Sequence, residues 1–169
     1  MALGVISVMM ASVSTYFVSS IKVGRSQSHV QEATRLAQAG MEQARGYGGA
    51  ALLAGRAQCG SCLNLNGYDG GYLSNTVRWD APGTGSPTVP YDSTPETFVI
   101  GGVTYYRYWF VGKCWQPAAG GTCVATAQTV PMVRLVVGVV WLETGCTATL
   151  CVRASSALLS ADPADPAFP

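Results

Sequence analysis

The chain has 169 residues, of which 11% are charged, with ten basic and nine acidic side chains and a net charge of +1. The charges are scattered singly, which argues against a nucleic-acid surface, since that needs clustered lysine and arginine. Twenty glycines, a mean hydropathy of +0.25 and a charged share under half the usual one of about 25% suit an extracellular β head with a lipid-facing segment, not a cytosolic enzyme.

Residues 1–21 contain no charge, and from Lys22 onward Arg25, Glu32, Arg35, Glu42 and Arg45 are spaced along a run without proline. Gly46, Gly48 and Gly49 then interrupt it. The pattern predicts one helix over 1–45 with two unlike halves: a hydrophobic transmembrane or assembly half at 1–21 and an amphipathic half at 22–45. At about 1.5 Å per residue such a helix spans roughly 68 Å, over twice a hydrocarbon core of about 30 Å. The first half starts apolar with no basic residue ahead of it, which fits a cleaved secretory signal poorly. Ser7, Ser12, Ser14, Thr15, Ser19 and Ser20 speckle it, and Gly4, Ser7 and Ala11 would let another helix approach closely. Met1, Val5, Val8 and Phe17 are the candidate assembly residues of this half.

In the second half, Val23, Val30, Ala33, Ala37, Met41 and Ala44 recur at helical spacing and would form a seam against the head. Alanine dominates that seam, so helix and sheet can come close. Glu42 and Arg45 are placed to pair across one turn. His29, the single histidine, reads as a solvated helix residue, which leaves no histidine cluster for a metal and no Ser-His-Asp arrangement.

Residues 46–95 form a turn-rich loop region, with strand-like pieces near Tyr72-Leu73 and over 76–79. The stretch 64–71 (NLNGYDGG) resembles a calcium loop only in composition. It lacks alternating carboxylates and a terminal glutamate, so an Asn/Gly turn cluster is the better reading.

Residues 96–169 are expected to be an antiparallel sheet with a C-terminal tail. Residues 97–100, Gly101-Gly102 and 103–111 carry a hairpin signal, because the glycine pair allows a primed turn. Tyr106, Tyr108 and Phe110 should share one face of that strand, and Tyr105, Arg107 and Trp109 the other. Tyr105 and Trp109 are the candidate ligand face for carbohydrate, with packing against the helix as the favoured alternative. Residues 132–142 read as a central strand and 152–159 as its antiparallel return. Asp162-Pro163-Ala164-Asp165-Pro166 cannot be helix or inner strand, and is expected along the sheet edge with Phe168 as anchor.

Six cysteines fall in three close pairs, Cys59 with Cys62, Cys114 with Cys123 and Cys146 with Cys151. Spacing alone does not choose among the possible connectivities. Local closure is the preferred reading because each pair brackets a turn, and it implies an oxidising compartment. Each short bridge would contribute about 2–3 kcal/mol. Zinc is the weaker alternative, since only Cys59 and Cys62 have a ligand-like spacing. The acids sit in no catalytic signature, with Asp69, Asp80 and Asp92 in turn contexts, so neither enzymatic activity nor a cofactor is expected.

The order of parts resembles type IV pilins and type II secretion pseudopilins: an uncharged half-helix, an amphipathic half-helix (QEATRLAQAGMEQAR, 31–45), a variable loop, then an antiparallel sheet. The head also looks like that of minor-pilin-like proteins of high-GC Gram-positive bacteria, through GVTYYRYWFVGKCW (102–115), VVGVVW (136–141), the cysteine hairpin and ADPAF (164–168). The resemblance covers essentially the whole chain. It implies an α+β fold, with a long N-terminal helix packed on an antiparallel head, and a structural minor subunit that polymerises through that helix. It further implies other pilin subunits and the membrane as partners, a prepilin peptidase, N-terminal methylation, and a single-pass location with the head outside or in a filament. Family members usually carry glutamate at the fifth mature position. If Met1 is the mature first residue, that place holds Val5, as in tip-type pseudopilins, and no acid precedes Glu32. The basic leader ending in glycine is not in the sequence, having been removed or lying before its start. The alternative is a membrane-anchored adhesin or carbohydrate-binding module that acts without polymerising.

Overall fold

The computed structural model describes residues 2–60, 62, 67–118, 120–127, 129–146 and 150–162, with the backbone alone at 2–9 and 11. A single helix, α1, runs from Ala2 to Arg45. A short helix follows, α2 (Gly48–Leu53), then strands β1 (Arg56–Ala57), β2 (Val77–Arg78), β3 (Ala81–Pro82), β4 (Glu96–Ile100), β5 (Val103–Gln116), β6 (Val130–Leu142) and β7 (Leu150–Ser160). Two compact units result, residues 1–32 and 33–169.

The first unit is helix throughout its described length. No proline interrupts it, and two of its hydroxyls bond to their own helix: Ser14 Oγ donates to Met10 O at 2.9 Å and Thr15 Oγ1 to Ser12 O at 2.8 Å. Among the described residues no helix is long and apolar enough to cross a membrane.

In the second unit, α1 from residue 33 onward buries Ala33, Leu36, Ala37, Gly40, Met41 and Ala44, a three-four spacing that sets one stripe inward. Val23, expected in this seam, is 56% exposed, and the buried stripe begins at Ala33. A Cβ on Gly40 would stand 3.0 Å from Val137 Cγ1 and 3.3 Å from both Arg107 Cδ and Trp109 Cη2. Small residues on the helix therefore make room for bulk on the sheet. The stripe ends where Gly46 closes on Glu42 O and Gly48, with φ of 74°, turns the chain into α2.

The main sheet is antiparallel in the order β2-β5-β6-β7, with β4 paired to β5 on the same edge as β2. β5 and β6 pair from Tyr105↔Trp141 to Gln116↔Val130, and β7 follows β6 from Leu142↔Leu150 to Met132↔Ser160. The β4–β5 hairpin turns at Gly101 and Gly102, with φ of 58° and 79°, as the glycine pair requires. β5 runs on to Gln116, five residues past the expected end at 111, because β2 takes over its free edge at Gly112 and Lys113. β1 and β3 make a separate two-stranded ladder.

The odd-numbered face of β5 and its partners on β6 bury Tyr105, Trp109, Val111, Val133, Leu135, Val137 and Trp141. The opposite face is covered by turns at 67–76, where Leu73 packs with Phe110 and Val136, flanked by Tyr68, Tyr108 and Ala154. Gly138 lies directly beneath Tyr68 O, and a side chain there would lift this segment away. Tyr72-Leu73, expected as strand, is part of these turns; its backbone bonds close locally, as in Tyr72 N to Asp69 O. α2 was not expected, since its Gly-Gly start hides it. The tail residues from 163, with Phe168, and residues 64–66 of the expected Asn/Gly turn cluster lie outside the described residues.

Candidate functional site

The longest run of exposed apolar side chains lies on α1, while Val99 on β4 and Leu142 on β6 are isolated exposed ones. Met10, Val13, Tyr16, Phe17, Val18, Ile21 and Val23 are each more than half exposed, and every described side chain from 12 to 25 is exposed. Met10, Val13, Phe17 and Ile21 follow one another by three or four residues and so share a stripe. Phe17, at 60% exposure, is thus presented outward, with the Tyr16 ring at 6.3 Å edge-on. Val5 and Val8 are on the same helix, where only the backbone is described, and Met1 lies outside the described residues. Such a continuous apolar stripe is a candidate interaction surface.

The candidate ligand face in the head is closed. Tyr105 is 1% and Trp109 0% exposed, so neither ring can stack on a sugar. Their surroundings are a clamp between helix and sheet. Trp109 Nε1 donates to Glu96 Oε2 at 2.6 Å, and Arg107 Nε donates to the same oxygen at 2.8 Å. Arg107 also reaches α1, donating to Leu36 O at 3.3 Å and to Gln43 Oε1 at 3.4 Å. Its guanidinium lies 4.9 Å from the Phe98 ring centre and 5.1 Å from that of Trp109. A cation placed between two aromatic faces and a carboxylate is satisfied without water.

A fully buried ion pair holds the loop region. Asp80 Oδ1 accepts from Arg56 Nη1 at 3.1 Å and from Val111 N at 3.0 Å, both side chains being fully buried. The Val111 amide lies on the β5 edge between the stretches paired with β4 and β2, so a side chain must satisfy it. Arg56 Nη2 donates to Val89 O at 2.8 Å and Pro90 O at 2.6 Å, and the guanidinium sits 5.0 Å from the Tyr91 ring centre. Tyr91 Oη in turn donates to Gly55 O at 2.6 Å. Burial pushes the Asp80 carboxyl up to about 7, against the pull of the Val111 N–H and the two arginines. Burial lowers Arg56 in the same way, with Asp80 opposing. The site is sealed, so its chemistry is that of a fastener. Sequence reasoning took Asp80 for a turn acid; the signal available was an arginine-flanked acid beside strand-like residues in a chain with few charges.

A shallow groove of about 410 Å³ runs between α1 and β7, lined by Gln38, Met41, Glu42, Arg45, Ser155, Ser156 and Ala157. The expected Glu42–Arg45 pair forms on its rim at 2.7 Å. All three local disulfides are present, Cys59–Cys62, Cys114–Cys123 and Cys146–Cys151, which indicates an extracellular or otherwise oxidising location. No family model, curated protein or solved structure matches the chain.

Proposed function

We propose that the protein is a structural minor subunit of a type IV pilus or type II secretion pseudopilus, polymerising through its N-terminal helix, with the head outside the cell membrane or in the filament. One observation carries this reading. A helix unbroken from Ala2 to Arg45 presents large apolar side chains to solvent at 10–23 and becomes part of a disulfide-bonded head from residue 33. Apolar surface of this kind contributes about 25 cal/mol per Å² when sister helices cover it, before association costs. The hydroxyls bonded to their own helix carbonyls can enter such a bundle without leaving donors unpaired. A membrane-anchored module acting alone gains no support from Tyr105 and Trp109, which are covered.

Deletion of residues 1–20 tests the proposal. The expected product is a folded, soluble head that no longer enters filaments. Recovery of the truncated protein in filaments at the normal level would remove the helix as the assembly element.

A further inference from the structure

Trp109 and Trp141 are buried, whereas Trp79 and Trp115 are half-buried. The half-buried pair is not scattered. Val77 pairs with Lys113 and Trp79 N donates to Val111 O, so Trp79, Lys113 and Trp115 stand on one face of neighbouring strands. The Lys113 ammonium lies 5.5 Å from the ring centres of both tryptophans. Among the described residues no carboxylate is paired with it, and the indoles orient the cation without neutralising it.

The backbone beneath is held from every side. Lys113 sits between β2 and β6, opposite Val77 and Val133. Trp115 exchanges two hydrogen bonds with Val124, at 2.9 and 3.0 Å, and the adjoining Cys114–Cys123 bridge closes that loop. Gln116 Nε2 fastens the same loop to Gly121 O at 2.8 Å. On the other side Cys59, itself in a disulfide, donates its N–H to Arg78 O at 3.0 Å. Two stapled loops thus fix a patch of two indoles and one unpaired cation, which lowers the ordering cost of binding.

We infer that Trp79, Lys113 and Trp115 form a binding site for an acidic polysaccharide, whose sugar rings pack on the indoles and whose carboxylate pairs with Lys113. An indole offers a flat apolar face to a sugar ring, and the lysine selects a negatively charged one over a neutral one. The site belongs to the head and does not depend on the assembly reading.

Titration of the full chain with oligogalacturonate, followed by tryptophan fluorescence, tests the site. Trp109 and Trp141 are sealed and Trp79 and Trp115 only half-buried, so the latter two dominate the response. A saturable change is expected, with binding of the fully methyl-esterified oligomer of equal length weaker by about tenfold or more. Lys113→Met keeps the aliphatic stem and should bring the acidic oligomer down to the level of the ester. Equal binding of acid and ester, no saturable change, or unaltered binding by Lys113→Met would each overturn the inference. So would inorganic phosphate competing as strongly as the oligomer, which would reduce the site to a general anion contact. Should Lys113→Met lower the melting temperature, the acid–ester comparison on the unaltered chain decides alone.

Discussion

Two stretches of the same helix solve the packing problem in opposite ways. Residues 33–45 bury alanine, glycine, one leucine and one methionine, and leave the bulk to Trp109, Arg107 and Val137 on the sheet. Residues 10–23 carry their own bulk, in methionine, valine, isoleucine, tyrosine and phenylalanine, and expose it. A helix whose partner is already built into the fold can afford to be thin at the contact. One that exposes large apolar side chains is shaped for a partner supplied from outside, which is the role proposed here for sister subunits.

The contrast is open to breaking from the head outward. Trp109→Ala should have the largest effect, about 4 kcal/mol in denaturant unfolding, because it leaves a cavity under α1 and removes one donor to Glu96. A change below about 1 kcal/mol would mean that the helix does not depend on the sheet for its packing. Asp80→Ala comes next, at about 3 kcal/mol, since it strands the Arg56 charge and the Val111 amide inside the protein.

A smaller effect follows pH. The folded pKa of Asp80, about 7, lies above the unfolded value near 3.9, so the folded state holds this proton more tightly. Its contribution is fully present below about pH 4 and is lost as pH rises through about 7. Melting temperature should therefore fall between about pH 4 and about pH 7, and Asp80→Asn, which keeps an acceptor for Val111, should flatten the curve. Burial raises Asp92 as well, which contributes a slope of the same sign in that variant. A curve unchanged by Asp80→Asn would show that the buried pair stays ionised across the range.

The smallest effect on folding, and the sharpest on the comparison, belongs to Phe17→Ala. With the side chain 60% exposed, unfolding free energy should change by less than about 0.5 kcal/mol while incorporation into filaments drops. Loss of stability without loss of incorporation would reverse the roles assigned to the two stretches.

Local signals carried much of the architecture. The proline-free run to Arg45, the Gly101-Gly102 turn, the alternation along 105–110 and the three close cysteine pairs all act within a few residues, and each is realised as read. Where the seam begins was not legible, because Val23 and Ala33 share a helical period and only the presence of a sheet distinguishes them. Segment 67–76 was opaque for a similar reason: its turns are held by a long-range contact with Gly112 and Gly138.

Sequence alone determined the elements whose energetics are local: helix, hairpin, strand alternation and the short bridges. Tertiary structure alone decided which tryptophans are sealed and which are open, and that Asp80 satisfies a strand-edge amide 31 residues away. Those outcomes depend on what covers a side chain, and coverage comes from parts of the chain that are distant in sequence and meet only when it folds.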